Sequence, residues 1–103
     1  MSTLSLNKNN FTGEVFDSPK PVLIDFLAPW CGPCRMLAPV VEELAEENAE
    51  TFKFVKVNID EEPELAERFG VYSIPTLMLV KDGEIVATSV GYKPKHELEE
   101  MIL

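Results

Sequence analysis

Apolar residues fall along this chain in two rhythms, and the switches between them lay out the elements. Leu4 and Leu6 alternate with polar neighbours, the pattern of a short first strand, and Asn9 or Asn10 can cap a brief helix ending near Phe16. Ser18, Pro19 and Pro21 break the chain before an apolar run over 22–28. Only Asp25 interrupts that run, which predicts a central strand buried on both faces. Over 31–48 the rhythm changes: Cys34, Leu37, Val41 and Leu44 recur at spacings of three or four, while Arg35, Glu42, Glu43, Glu46 and Glu47 take the other faces. This is an amphipathic helix. Pro39 inside it removes the hydrogen bond to the carbonyl of Arg35, so a kink is expected there.

The spacing then predicts a strand over 52–58 and a short helix over 61–69, with Gly70 as its stop. Two β-rich runs over 76–80 and 85–90 meet through Asp82-Gly83, the dipeptide of a tight antiparallel hairpin. A last amphipathic helix over 95–103 carries Leu98, Met101 and Ile102. Strand and helix alternate early and a hairpin ends the sheet, which predicts a three-layer α/β fold with a central mixed sheet flanked by helices. No repeat, low-complexity stretch or linker is present, and 103 residues with 46% hydrophobic content suffice for one core but not two, so 1–103 reads as a single domain.

Eighteen acidic residues against nine basic ones leave a net charge of −9, which repels phosphate backbones and anionic lipid surfaces. Neither nucleic acid nor a membrane is an expected partner. No basic stretch followed by an apolar run opens the chain, and no run of about eighteen uncharged apolar residues occurs, so a cytoplasmic location is expected. The chain's two cysteines, separated only by Gly32 and Pro33, cannot form a disulfide framework. A reducing compartment keeps such a pair mostly as the dithiol, which suits a reductant.

The segment Trp30-Cys31-Gly32-Pro33-Cys34 joins the C-terminal end of the central strand to the long helix, at the sheet edge where α/β proteins gather their sites. Cysteines at i and i+3 lie one helical turn apart, close enough to form a reversible disulfide. Free amide donors and the helix dipole favour a thiolate at the first, so Cys31 is the expected nucleophile, while Cys34 faces inward and keeps its proton until it must resolve a mixed disulfide. Two inert buried cysteines, or a zinc site, are the competing readings; zinc wants four ligands, and His96, in a distant polar stretch, is the only soft donor left.

Asp25 must be desolvated if its strand is internal, which would raise its pKa and let it exchange a proton with Cys34 through water. A register that turns it to solvent is the alternative. Lys56 shares a strand face with Phe52 and Phe54, and either pairs with Asp25 or snorkels to the surface. Pro75, in Ile74-Pro75-Thr76, cannot donate to a sheet, and the residues alone do not decide whether its peptide bond is cis. Gly91 ends the next strand, as a plain turn or as a point where a ligand backbone approaches closely.

Asp25-Phe26, Ala28 with Trp30-Cys31-Gly32-Pro33-Cys34, Pro39, residues 58–60, Ile74-Pro75-Thr76, Gly83 and Gly91 together resemble the thioredoxin family, in order and spacing over nearly the whole chain. The glutaredoxin, disulfide isomerase and periplasmic oxidase relatives carry other residues between their cysteines. The resemblance implies a thioredoxin-like fold and a thiol-disulfide oxidoreductase that reduces protein disulfides, with no bound cofactor beyond a redox-active Cys31–Cys34 disulfide. It implies that Pro75 is cis and faces the cysteine pair, so that the backbone of Ile74 can hydrogen-bond an extended substrate. It implies a shallow docking surface of Trp30, Gly32, Pro33, Ile74, Pro75 and Gly91, with Asp25 and Lys56 as a buried pair behind Cys34. Electrons would come from a thioredoxin reductase and pass to oxidised proteins such as reductases and peroxidases; a monomer is expected. Leu27 stands where the family commonly has an aromatic residue and Tyr92 where a small one is common, departures that bear on partner preference and surface packing. The alternative function is a redox-silent peptide-binding or scaffold subunit using the same groove, against which the intact cysteine pair and Asp25 argue.

Overall fold

In the computed structural model, which describes residues 3–103, period-two burial divides the strand Val22–Leu27 between two apolar layers. This strand, β2, follows a short β1 (Leu4–Ser5) and a single π-helical turn, Thr12–Phe16. After it come α1 (Gly32–Glu47), β3 (Lys53–Asn58), α2 (Pro63–Arg68), the hairpin of β4 (Thr76–Lys81) and β5 (Glu84–Val90), and α3 (Lys95–Ile102). The sheet order is β1-β3-β2-β4-β5; β3 runs parallel to β1 and β2, whereas β4 is antiparallel to β2 and β5. This is the expected mixed sheet with helices on both faces.

Val22, Ile24 and Phe26 point to the face covered by Phe11, Val15 and Leu65. Leu23 points the other way, with Phe54 and Leu77, into the layer of α1 (Leu37, Val41, Leu44) and α3 (Leu98, Ile102). Asp25 and Lys56 are register partners on β2 and β3, and their odd and even positions set both on the α1 side of the sheet. The strand that ends at the cysteines is therefore fixed on both faces and both edges.

Four local details depart from the pattern read along the chain. Leu6 is buried but Leu4, on the edge strand, is exposed. The helical turn Thr12–Phe16 takes no side-chain cap from Asn9 or Asn10: Phe11 stands at its N-cap, and Asn7 closes the turn before it, its Oδ1 accepting the N–H groups of Asn9 and Asn10 at 2.8 and 3.1 Å while Asn10 Oδ1 accepts the N–H of Asn7 at 2.8 Å. That reciprocal pair needs an acceptor at both ends, and only Asn7 with Asn10 has the spacing. Helix α2 begins at Pro63, later than expected, because a residue before proline is driven out of the helical region. β5 carries an extra residue at Val86, since Leu79 pairs with Ala87 but Val80 pairs with Ile85.

Turn chemistry follows the residues. Gly70, at φ 68°, ends α2 with its N–H on the carbonyl of Glu67 at 3.1 Å and that of Val71 on Ala66 at 2.9 Å, a two-bond helix stop that wants a left-handed residue. Asp82 and Gly83 both adopt positive φ, 51° and 79°, as the tight hairpin requires.

Leu37 is fully buried one turn after Cys34 and seats α1 on the sheet. Leu37→Ala is expected to cost about 3 kcal/mol through lost burial and the cavity left behind. Urea unfolding should show a lower midpoint with an unchanged m-value.

Candidate active site

The two cysteines sit where a strand turns into a helix. β2 ends at Leu27, the N–H of Cys31 bonds to the carbonyl of Ala28 at 3.2 Å, and Cys31 takes an extended conformation as the N-cap of α1. Gly32 and Pro33 form the first turn, where proline's missing donor costs nothing. The N–H of Cys34 then donates to Sγ of Cys31 at 3.2 Å. Sulfur here occupies the place an oxygen fills in an ordinary cap. Cys31 and Cys34 are joined in a disulfide with Cα atoms 5.2 Å apart, and the residues keep only 5% and 4% of their surface exposed.

Three further segments reach this edge. The Ile74-Pro75 peptide bond is cis, and Sγ of Cys31 lies 3.9 Å from the carbonyl oxygen of Ile74. The carbonyl of Pro75 accepts the N–H of Gly91 at 2.8 Å, tying the end of β5 to the proline turn, and Gly91 holds a φ of 89° that favours glycine. Ile74, with Leu27 and Ile59, packs against the disulfide and Ala28. Trp30 is exposed, its indole N–H directed to Asp60, 3.0 Å from Oδ2. Arg35 donates from Nη1 to the carbonyl of Pro29 at 2.9 Å. Cys31, Cys34, Trp30, Gly32, Pro33, Ile74, Pro75 and Gly91 are thus gathered on one edge of the sheet. A Cβ added at Gly32 would meet open space, so that glycine borders solvent.

Asp25 lies under α1, on the face from which Cys34 and Leu37 are buried. Its Oδ1 is buried and has no hydrogen-bond partner among the described residues. Burial pushes its carboxyl up to about 7 from an ordinary 3.8, against the opposing pull of the Lys56 ammonium. The internal register holds for Asp25. Lys56 is not buried beside it: its side chain is 29% exposed and its Nζ lies 4.0 Å from Oε1 of Glu42 on α1. The long lysine stem covers apolar surface while its head reaches toward water and a second carboxylate.

Two residues of this neighbourhood escaped the reading of the sequence. The spacing puts Glu42 on a face of α1 other than the apolar one, although its place beside Val41 at the border of that stripe brings it within 4.0 Å of Lys56 on the sheet. Asp60 anchors the Trp30 indole across a turn, a contact that no periodicity reveals. A cleft of about 500 Å³ bordered by Ser18, Pro19, Lys20, Ala49 and Phe52 includes neither cysteine. Among the described residues no group of three or more His, Cys, Asp or Glu side chains could hold a metal ion, and no helix is long and apolar enough to cross a membrane. The redox group is the protein's own disulfide.

Comparison with known proteins agrees with this geometry. A family model described as Thioredoxin matches residues 2–103. Thioredoxin of Bacillus subtilis is 50% identical over 102 residues, 99% of this chain and 96% of the relative. Thioredoxin of Listeria monocytogenes is 60% identical over 81 residues, 79% of each chain. Thioredoxin 1 of Synechococcus elongatus is 57% identical over 88 residues, 85% of this chain and 82% of the relative. The redox-silent alternative is not favoured by a cysteine pair already bonded at the helix start. With half or more of the residues shared and the bonded pair set where a reductant needs it, the chain belongs to the thioredoxin family and is a thiol-disulfide oxidoreductase that reduces disulfides in proteins.

Proposed function

We propose that the reduced protein attacks a target disulfide with Cys31 and is released when Cys34 attacks the Sγ of Cys31. In the first step the target S–S bond breaks, a mixed disulfide forms and one target thiolate leaves. In the second the Cys31–Cys34 bond forms and the other target thiolate leaves, so the pair gives up two electrons. One contact carries this division of labour: the N–H of Cys34 aimed at Sγ of Cys31 in the first turn of α1. A donor and a helix dipole at that sulfur favour its thiolate. Cys34, on the buried side of the helix, keeps its proton until Asp25 takes it, directly or through water, and Lys56 tunes that carboxyl from the next strand.

The face of Trp30, Gly32, Pro33, Ile74, Pro75 and Gly91 receives the target, whose extended segment pairs with the backbone of Ile74. Ile74 lies outside every strand and helix of the fold, beside the sulfur, which supports that reading. Family membership implies a thioredoxin reductase as electron donor and disulfide substrates in general. Oxidised reductases and peroxidases are the target classes we infer, met by a monomer of one domain, residues 1–103, in the cytoplasm, where the reducing poise favours a dithiol. The net charge of −9 supports protein partners over nucleic acid or lipid.

The cysteine variants test the roles. Cys31→Ser should abolish the protein's acceleration of insulin reduction by dithiothreitol, leaving the uncatalysed rate, whereas Cys34→Ser should accumulate mixed disulfides with target proteins that are visible on non-reducing gels. Trapping by Cys31→Ser and not by Cys34→Ser would reverse the assignment.

Asp25 generates a pH-dependent prediction. Its folded pKa of about 7 stands above the ordinary 3.8, so the protonated carboxyl's stabilisation is fully present below 3.8 and is lost as pH rises through 7. Asp25→Asn should therefore unfold at higher denaturant than the parent at pH 8, by up to about 4 kcal/mol at roughly 1.4 kcal/mol per pKa unit, with the gain vanishing below pH 4. The same variant should release its mixed disulfide at least about ten-fold more slowly, having lost its base. A variant less stable than the parent at pH 8, with unchanged turnover, would contradict both the burial and the role.

A further inference from the structure

Among the described residues four aromatic side chains are exposed: Phe16 at 37%, Trp30 at 66%, Tyr92 at 41% and Tyr72 at 97%. All but Phe16 belong to the segments that border the disulfide. Tyr72 is the least covered of them, and the residues on either side of it are tied to the fold. On one side Val71 bonds back to Ala66 at 2.9 Å and packs on the core. On the other the Thr76 hydroxyl donates to the carbonyl of Ser73, and Ile74 packs on the core and against the disulfide. The ring is thus held out on a fixed stretch of chain two residues before Ile74, with nothing in the fold to cover it. A rigid aromatic side chain with few rotatable bonds loses little entropy on being covered, and such residues dominate recognition faces.

The chain leading into this ring is acidic: residues 60–71 hold Asp60, Glu61, Glu62, Glu64 and Glu67 against Arg68, whose guanidinium lies 4.7 Å from the centre of the Phe11 ring. Lys8 borders the same cleft as Glu61, Glu62 and Glu64, but the whole molecule still carries a net charge of −9. The cations Arg35 and Lys93 are tied to the carbonyls of Pro29 and Val90, on the Trp30 and Gly91 sides. An exposed ring face attracts a cation, and acidic neighbours reinforce the attraction while repelling an anion.

We propose that Tyr72 is a specificity-determining residue of the disulfide reduction, receiving a lysine or arginine that lies close to the target cysteine in the bound segment. Tyr72 and Ile74 are two residues apart, at most about 7 Å along the chain, and a residue two positions from the target cysteine spans the same distance when the bound segment pairs at Ile74. This inference rests on the reductant reading and names the kind of target that its site prefers.

The test uses three synthetic disulfide peptides, identical except for Lys, Ala or Glu at the positions two residues from the target cysteine on either side. Pre-reduced protein is mixed with each at low salt, and second-order rate constants are read by acid quench and chromatography. The parent should reduce the Lys peptide fastest and the Glu peptide slowest. Tyr72→Ala should lower the Lys-to-Ala rate ratio by about two- to five-fold, the range of an exposed cation–ring contact. Tyr72→Phe, which keeps the ring, should retain the parent ratio. Rapid reduction of all three peptides with a ratio unmoved by Tyr72→Ala, or a Phe variant that behaves like the Ala one, would overturn the role of Tyr72 alone. A reduced parent that acts on none of the peptides would overturn the reductant reading beneath it.

Discussion

An α-helix begins with amide donors that have no partner within the helix, and something must accept from them. In this protein the acceptor at the head of α1 is a sulfur atom, Sγ of Cys31, 3.2 Å from the N–H of Cys34. The atom that satisfies the helix is also one of the two sulfurs of the redox-active disulfide. A helix start that needs an acceptor favours negative charge at that place, and in the mechanism we propose the preference for Cys31 as nucleophile is a by-product of capping. Everything else in the fold serves to hold that helix start still. β2 feeds into it, buried on both faces, and Leu37, Val41 and Leu44 keep α1 pressed to the sheet behind it.

Asp25 shows what that rigidity costs. A carboxylate in the middle of an internal strand, with an oxygen lacking any hydrogen bond, opposes folding whenever it is ionised. An apolar residue at that position would be more stable, so its presence agrees with a proton-transfer task under the buried face of α1. Lys56 and Glu42 complete a graded arrangement: a buried acid, a half-exposed base beside it in the sheet, and an acid of α1 at 4.0 Å from that base. The lysine's charge moderates the carboxyl without quenching it, as a direct ion pair would.

The face proposed to receive the target has a different origin. It is assembled from ends: the end of β2, the turn before β4, the end of β5 and the turn after β3. Hydrogen bonds join these ends in two pairs, Gly91 to Pro75 and Trp30 to Asp60, and the packing of Ile59 and Ile74 against Ala28 and the disulfide brings the pairs into one surface. Loops tied to one another in this way can vary in side chain while their backbone stays in place. Tyr72 and Tyr92 are exposed side chains carried on that frame.

Much of this was written along the chain. The apolar run over 22–28 declared a strand buried on both faces, the three-and-four spacing from Cys34 to Leu44 declared a helix and its buried side, and Asp82-Gly83 declared the hairpin, because burial and backbone sterics act on each residue locally. The Cys-Gly-Pro-Cys spacing by itself determined that a disulfide could close within one turn. Local pattern could not decide what depends on residues far apart. That Lys56 reaches Glu42 rather than burying itself against Asp25, that Asp60 holds the Trp30 indole, and that Ile74 lies against the sulfur all require knowing which strands are neighbours. Only the tertiary structure set the parallel β2–β3 and antiparallel β2–β4 pairings, and with them the environment of Asp25, since desolvation is a property of what surrounds a group and not of the group itself.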